Sequence, residues 1–385
     1  MQNFELYNPT KLIFGKGEIS KLNQNIAKDK KVLVIYGGGS IKKNGVYEQV
    51  TKALSGYEVH EFAGVEANPE YETCLKAVEY IKENNIDFLL AVGGGSVIDA
   101  TKFISAATNY EGDPWDIITK WDSFDNAVDF GVVLTMPATG SEMNCGSVIS
   151  RRALNKKLAF MNAKVFPKFS ILDPETTYTL PTRQITNGVV DAFVHVMEQY
   201  LTFPQDAPIH DRFAEGILST LLEEGPKGLA TPTNYEVRSN IMFSATMALN
   251  GLIGTGVIHD WSTHDIGHEL TAFYGLDHAQ TLAIILPNIM QYKRREKGEK
   301  IAQYAQRVLG VDKELSQERQ IDIAIEKTIE FFESVGNPTK LSAYAFDGRY
   351  FDDIIKNLED TGVSAMGEHQ DIKLSDIRKI LEMSL

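Results

Sequence analysis

The sequence predicts a parallel-sheet α/β domain followed by an all-helical domain, on three observations. Short β-branched runs alternate with helix-like stretches between residues 32 and 172. Two of those runs end in the same turn, Gly-Gly-Gly-Ser, at 37–40 and 93–96. Beyond Asp173-Pro174 and Leu180-Pro181 the strand rhythm stops and helical spacing replaces it. Strands alternating with helices build a parallel sheet covered on both faces.

In order, residues 32–36 read as a strand, followed by a helix to about Leu54, then a strand at 58–63 and a helix at 71–84. A buried-looking strand at 88–92 leads to a helix at 99–107, and strands follow at 131–136 and 169–172. Helical spacing then marks 182–200, 210–224, 237–250, 301–309 and 320–334. Pro204, Pro208, Gly225-Pro226 and Pro232 read as punctuation between them. The expected domains are residues 1–178 and 179–385.

A chain of 385 residues with 43% hydrophobic and 23% charged side chains has room for two cores. A net charge of −14 argues against nucleic acid or an anionic membrane as partner. Cys74 and Cys145 cannot make a disulfide framework or a cysteine-rich metal site, and they suit a reducing compartment. The first residues lack the pattern of a signal peptide, and no apolar run is long enough to span a bilayer. A cytoplasmic location is expected.

Glycine turns after strands let a phosphate approach backbone N–H groups without a Cβ in the way. The turn at 93–96 opens into a helix, so a pyrophosphate is one reading; a tight turn with Ser96 as helix cap is the other. At 37–40 the acidic residue that accepts from a ribose 2′-OH is missing. Gly38, Gly39 and Ser40 leave room for a 2′-phosphate, and Lys42 and Lys43 favour one, so NADP is the expected cofactor. The G-x-G-x-x-G fingerprint occurs at neither turn.

Four of the eight histidines lie between 259 and 278. Asp191 and His195 share a helix face at a spacing of four, as do His264 and His268. Val189, Val190, Ala192, Phe193, Val196 and Met197 make the first of these helices apolar on several faces, so its charges need a partner. Carboxylate with imidazole suits Zn²⁺ or Fe²⁺ better than Mg²⁺ or Ca²⁺. Spacing alone leaves open which histidines ligate. His60, His210, His259 and His369 read as structural.

These residues resemble the iron-containing (group III) alcohol dehydrogenase family, in its butanol dehydrogenase and NADPH-dependent aldehyde reductase branch. The likeness runs from Pro9-Thr-Lys-Leu-Ile-Phe-Gly-Lys-Gly17 to the C-terminus. It includes Gly-Gly-Gly-Ser-Val-Ile-Asp-Ala-Thr-Lys102, Pro137-Ala-Thr-Gly-Ser-Glu142, Gly251, His264-Asp-Ile-Gly-His268 and Gly275-Leu-Asp-His278. The Pro137 loop is one residue shorter than the family's commoner form.

The resemblance implies a Rossmann-like dinucleotide-binding domain and an all-α metal and substrate domain, a dehydroquinate synthase-like architecture. It implies one divalent ion, iron or zinc, on Asp191, His195, His264 and His278, with His268 a non-ligand active-site histidine. It implies NADP(H) contacts from Gly38, Gly39, Ser40, Gly94, Gly95, Ser96, Asp99, Thr135, Thr139, Asn144, Lys157, Thr179 and Leu180. The expected reaction is reversible hydride transfer between nicotinamide and a primary alcohol or short aldehyde, by a homodimer. Rivals are an NAD-dependent polyol (glycerol-type) dehydrogenase on the same architecture, a metal hydrolase, and a non-catalytic metal-binding protein.

Overall fold

The computed structural model describes residues 1–121 and 123–385. The chain divides into two compact units, Tyr7–Leu180 with Thr233–Met242, and Met1–Leu6 with Pro181–Pro232 and Phe243–Leu385.

The strands of the first unit are β1 (Lys11–Phe14), β2 (Lys31–Ile35), β3 (Glu58–Phe62), β4 (Phe88–Gly94), β5 (Phe130–Met136), β6 (Gly146–Arg151), β7 (Lys156–Met161) and β8 (Phe169–Leu172). Its helices are α1 (Val46–Ala53), α2 (Tyr71–Asn84), α3 (Gly95–Thr108) and α4 (Trp115–Thr119). Six strands form one parallel sheet in the order β1-β8-β5-β4-β2-β3. Both faces of its central strands are buried, as a parallel sheet requires. Leu33, Ile35, Leu89 and Ala91 enter one core, and Val32, Val34, Leu90 and Val92 the other.

Three strands lie outside those expected. β1 is a four-residue edge strand paired only with β8. β6 and β7 form an antiparallel hairpin apart from the main sheet, turned at Asn155 with φ 50°. The helix expected from residue 99 begins at Gly95.

The second unit holds α5 (Thr182–Tyr200) and α6 (Pro208–Ala230), with α7 (Tyr235–Ala248) crossing the division between units. It continues with α8 (Ser262–Tyr274), α9 (His278–Tyr292), α10 (Gly298–Arg307), α11 (Gln317–Ser334), α12 (Phe351–Asp360) and α13 (Leu374–Met383). Of these, α8, α9, α12 and α13 lie outside the segments expected from periodicity. A two-residue antiparallel ladder, Ala365–Met366 with Ile372–Lys373, interrupts the helices.

Gly225-Pro226 does not end a helix; α6 runs through it to Ala230. Gly225 lies against α5, where an added Cβ would sit 2.9 Å from Val189 Cγ1, so tertiary packing overrides the proline signal. Pro208 opens α6, where its missing N–H costs nothing. Among the described residues no helix is long and apolar enough to cross a membrane.

Candidate metal centre and cofactor turns

Every residue of α5 from Ile185 to Tyr200 is buried. That burial presents Asp191, His195 and Glu198, at i, i+4 and i+7, to one side inside the protein. The next two donors come from a helix–turn–helix. Gly275 ends α8 in the left-handed conformation, φ 69°, and Asp277 caps α9 in a reciprocal capping box with Gln280. His278 is thereby the first residue of α9. Asp277 also accepts from Arg183 Nε at 2.5 Å and Asn187 Nδ2 at 2.7 Å, tying this turn to α5. An added Cβ on Gly267 would meet Thr281 Oγ1 at 3.1 Å, so α8 and α9 pack closely beside His264 and His268.

Asp191, His195 and His264 bring three ligand atoms within 4.8 Å of one another, all buried. Asp191 Oδ1 lies 3.7 Å from His195 Nε2, 3.9 Å from His264 Nε2 and 3.7 Å from His278 Nε2. These separations are too long for hydrogen bonds. They approach the ~3.4 Å between two ligands of one tetrahedral ion bound at ~2.1 Å. The donor set therefore fits one divalent ion of the zinc or iron type. Burial pushes the His195 pKa down to about 4, despite the opposing pull of Asp191, so a neutral imidazole is present at neutral pH.

His268 lies one turn after His264 on α8, with its ring centroid 5.0 Å from that of His278 and 6.2 Å from that of His264. It stands beside the donor cluster without belonging to its buried triad. The histidines read as structural do not join the cluster. His259 Nε2 bonds the Gly254 carbonyl at 2.7 Å, His60 Nδ1 bonds Tyr80 at 3.0 Å, and His369 stacks on Phe203. His210 is buried in α6.

Glu198 is absent from the candidates read off the sequence. Its Oε1 accepts from Thr263 N at 2.6 Å and His264 N at 3.2 Å, and its Oε2 meets His264 Nδ1. Burial and the neighbouring Asp260 carboxylate push its pKa well above the usual range. A divalent cation among the ligands would draw it back to the ionised form. The signal for it is the third polar position, i+7 from Asp191, closing the otherwise apolar run that starts at Gly188.

In the first unit the chain steps from β2 out to β3, then places β4 on the other side of β2. Ligands of such sheets bind beyond the carboxyl ends of the strands where the order reverses, and both glycine turns follow strands that flank that point. The turn at 37–40 is open. An added Cβ on Gly38 or Gly39 meets nothing within 4 Å, and Gly39 has φ 88°.

At 93–96 the glycines also serve packing. An added Cβ on Gly94 would lie 2.9 Å from Met136 Cβ, and one on Gly95 2.5 Å from Thr139. No side chain caps α3, whose N-cap is Gly94 rather than Ser96; the Ser96 hydroxyl donates to the Ala67 carbonyl. The α3 N-terminus is thus suited to an anion.

Asp99 is buried and accepts from Ser141 Oγ at 2.6 Å and Val148 N at 3.0 Å, an anchor for the loop carrying Thr139 and Asn144. Lys102, also buried, donates to Ser141 Oγ, Asn144 Oδ1 and the Gly146 carbonyl at 2.7–2.8 Å, and burial pushes its pKa down to about 8. Thr135 is the penultimate residue of β5, Lys157 lies on β7, and Thr179 Oγ1 accepts from Asn44 Nδ2 at 3.3 Å, next to Leu180.

Lys42 departs from its expected part as an available cation. Its ammonium pairs with Glu61 at 2.9 Å and lies over the rings of Tyr36 and Tyr47, whose hydroxyls also donate to Glu61. Lys43 is exposed.

Two family models match nearly the whole chain: iron-containing alcohol dehydrogenase over residues 9–174, and its C-terminal domain over 185–385. The chain belongs to the iron-containing alcohol dehydrogenase family. Within the family it is 55% identical to the NADPH-dependent aldehyde reductase YqhD of Escherichia coli, over 99% of each chain. It is 44% identical to a probable NADH-dependent butanol dehydrogenase of Bacillus subtilis, over 100% of each. Among solved structures, the aldehyde reductase YqhD free of substrate and cofactor matches with a TM-score of 0.94 at 53% identity, covering 100% of both chains. The NADH-dependent butanol dehydrogenase A of Thermotoga maritima matches with a TM-score of 0.95 at 36% identity, covering 100% of this chain and 99% of that one.

Proposed function

We infer that this chain is a metal-dependent, NADP(H)-linked alcohol dehydrogenase or aldehyde reductase that interconverts primary alcohols and short aldehydes. The observation that carries the reading is the convergence of Asp191, His195 and His264 in a buried group, with His278 Nε2 3.7 Å from the same carboxylate oxygen. Membership of the alcohol dehydrogenase family gives that cluster its chemistry.

When bound, an iron or zinc ion supplies Lewis acidity toward a carbonyl or alcohol oxygen, and the nicotinamide supplies or takes the hydride. Asp191, His195, His264 and His278 hold the ion. Asp191, His195 and His264 are buried, which keeps water from that side of the ion, and burial keeps the His195 ring neutral for ligation. The uncapped start of α3, at Gly94, Gly95 and Ser96, binds the diphosphate. Gly38, Gly39 and Ser40 leave space for the 2′-phosphate. Thr135, Thr139, Asn144, Lys157, Thr179 and Leu180 make the remaining contacts, with Asp99 and Lys102 holding their loop. A cytoplasmic homodimer belongs to the same reading, supported for location by the two free cysteines.

The experiment is NADPH oxidation with butyraldehyde, followed by loss of the reduced-cofactor absorbance. Turnover with NADPH faster than with NADH supports the reading. No cofactor consumption across an aldehyde series contradicts it and returns the metal-hydrolase alternative.

In this reading His268, beside the donor cluster, passes a proton to the product oxygen, a role that suits imidazole chemistry. His268→Ala is expected to cut kcat by about 10²-fold or more and to flatten the limb of the pH–rate profile that the ring controls. An unchanged profile at unchanged kcat removes it from the mechanism.

A further inference from the structure

We propose that Glu198 is a positioning residue that holds His264 in the one tautomer able to ligate the ion; the proposal rests on the metal reading above. Glu198 lies three residues after His195 on α5 and is 3% exposed. Its two oxygens do different jobs. Oε1 accepts the Thr263 and His264 N–H groups of the first turn of α8, at 2.6 and 3.2 Å, and so fixes where that helix begins. Oε2 meets Nδ1 of the His264 ring.

A neutral imidazole carries one proton. Donated from Nδ1 to the carboxylate, that proton leaves the lone pair on Nε2, the atom that lies 3.9 Å from Asp191 Oδ1. One helix, α5, thus supplies two ligands directly and sets the ring plane and tautomer of a third on α8.

The backbone around the clamp is anchored as well. The Glu198 carbonyl accepts from Asp260 N at 2.9 Å. Asp260 in turn accepts from Ser262 N at 2.8 Å and from the buried Lys297 ammonium at 2.7 Å. Lys297 also binds Glu368 at 2.8 Å, so a buried ion cluster holds the segment leading into α8. A residue that served only as a helix cap would need one oxygen.

Glu198→Gln separates the two jobs. The amide oxygen can go on accepting from the two backbone N–H groups, so α8 stays capped. The amide NH₂ then faces Nδ1 and makes it accept, which moves the ring proton to Nε2 and blocks the ligand atom. In the zinc-loaded enzyme titrated with a competing chelator, zinc affinity is expected to fall about 10- to 100-fold. The far-UV circular dichroism and the melting temperature of the metal-free protein should stay near those of the wild type.

A folded E198Q variant that holds zinc as tightly as the wild type overturns the proposal while leaving the metal reading intact. A wild-type protein that takes up neither zinc nor iron overturns the metal reading, and the clamp with it. If E198Q does not fold, zinc-loaded wild type carrying ¹⁵N-histidine gives the answer. The imidazole signals lost in His264→Asn should show the proton on Nδ1; a proton on Nε2 overturns the proposal.

Discussion

His264→Ala should yield a folded protein that has lost both its metal and its turnover. His264 is buried and joins Asp191 and His195 in the tight donor group, so its removal takes one corner from the ion's cage. It also leaves Glu198 Oε2 without the ring it faces. Metal polarisation of a carbonyl is worth several kcal/mol; a loss of about 4 kcal/mol corresponds to about 10³-fold in kcat/KM. Metal content by elemental analysis should fall together with rate. A variant that retains a full complement of metal, or that reduces aldehyde at the wild-type rate, removes His264 from the ligand set.

Ser40→Asp should reverse the cofactor preference. Ser40 is exposed at the start of the short turn after Gly39, on the open side of the first glycine run. A carboxylate there would repel the 2′-phosphate of NADPH and accept from the 2′-OH of NADH. Solvent screens the interaction, so an effect of about 1–3 kcal/mol is expected, roughly 5- to 150-fold in the NADPH-to-NADH ratio of kcat/KM. Lys42 should not rescue NADPH binding, because its charge is already paired with Glu61. An unchanged ratio would place the 2′-phosphate elsewhere.

The parts of the fold legible in the sequence are those whose local pattern and tertiary environment agree. The strands at β2, β4 and β5 are continuous apolar runs because both faces of a parallel sheet are buried, and α2 and α5 show their periodicity plainly. Elements whose signal is local and weak are harder to see. β1 has four residues and one partner, and the β6–β7 hairpin is polar and partly exposed.

α9 is apolar on nearly every side and contains Pro287, so neither its period nor its boundary shows in the residues alone. α8 carries Gly267, which weakens a helical pattern but is required by the close packing on Thr281 and Leu282.

The site divides in the same way. Spacing on one helix places Asp191 with His195, whereas the meeting of α5 with His264 and His278 is a tertiary event that no local spacing encodes. Glu198 is hard to read because a glutamate in a helix resembles solvated surface; its burial, the two backbone N–H groups it accepts from and its contact with the His264 ring show otherwise. Lys42 illustrates the reverse case, a cation whose partner on a neighbouring strand is invisible in sequence.

The most direct measurement is aldehyde reduction by the purified protein before and after its ion is stripped with a chelator, with metal content determined on both samples. The buried carboxylate–imidazole cluster predicts loss of NADPH oxidation on stripping and its return when zinc or iron is restored. Full-speed reduction by protein shown to be free of metal would contradict it.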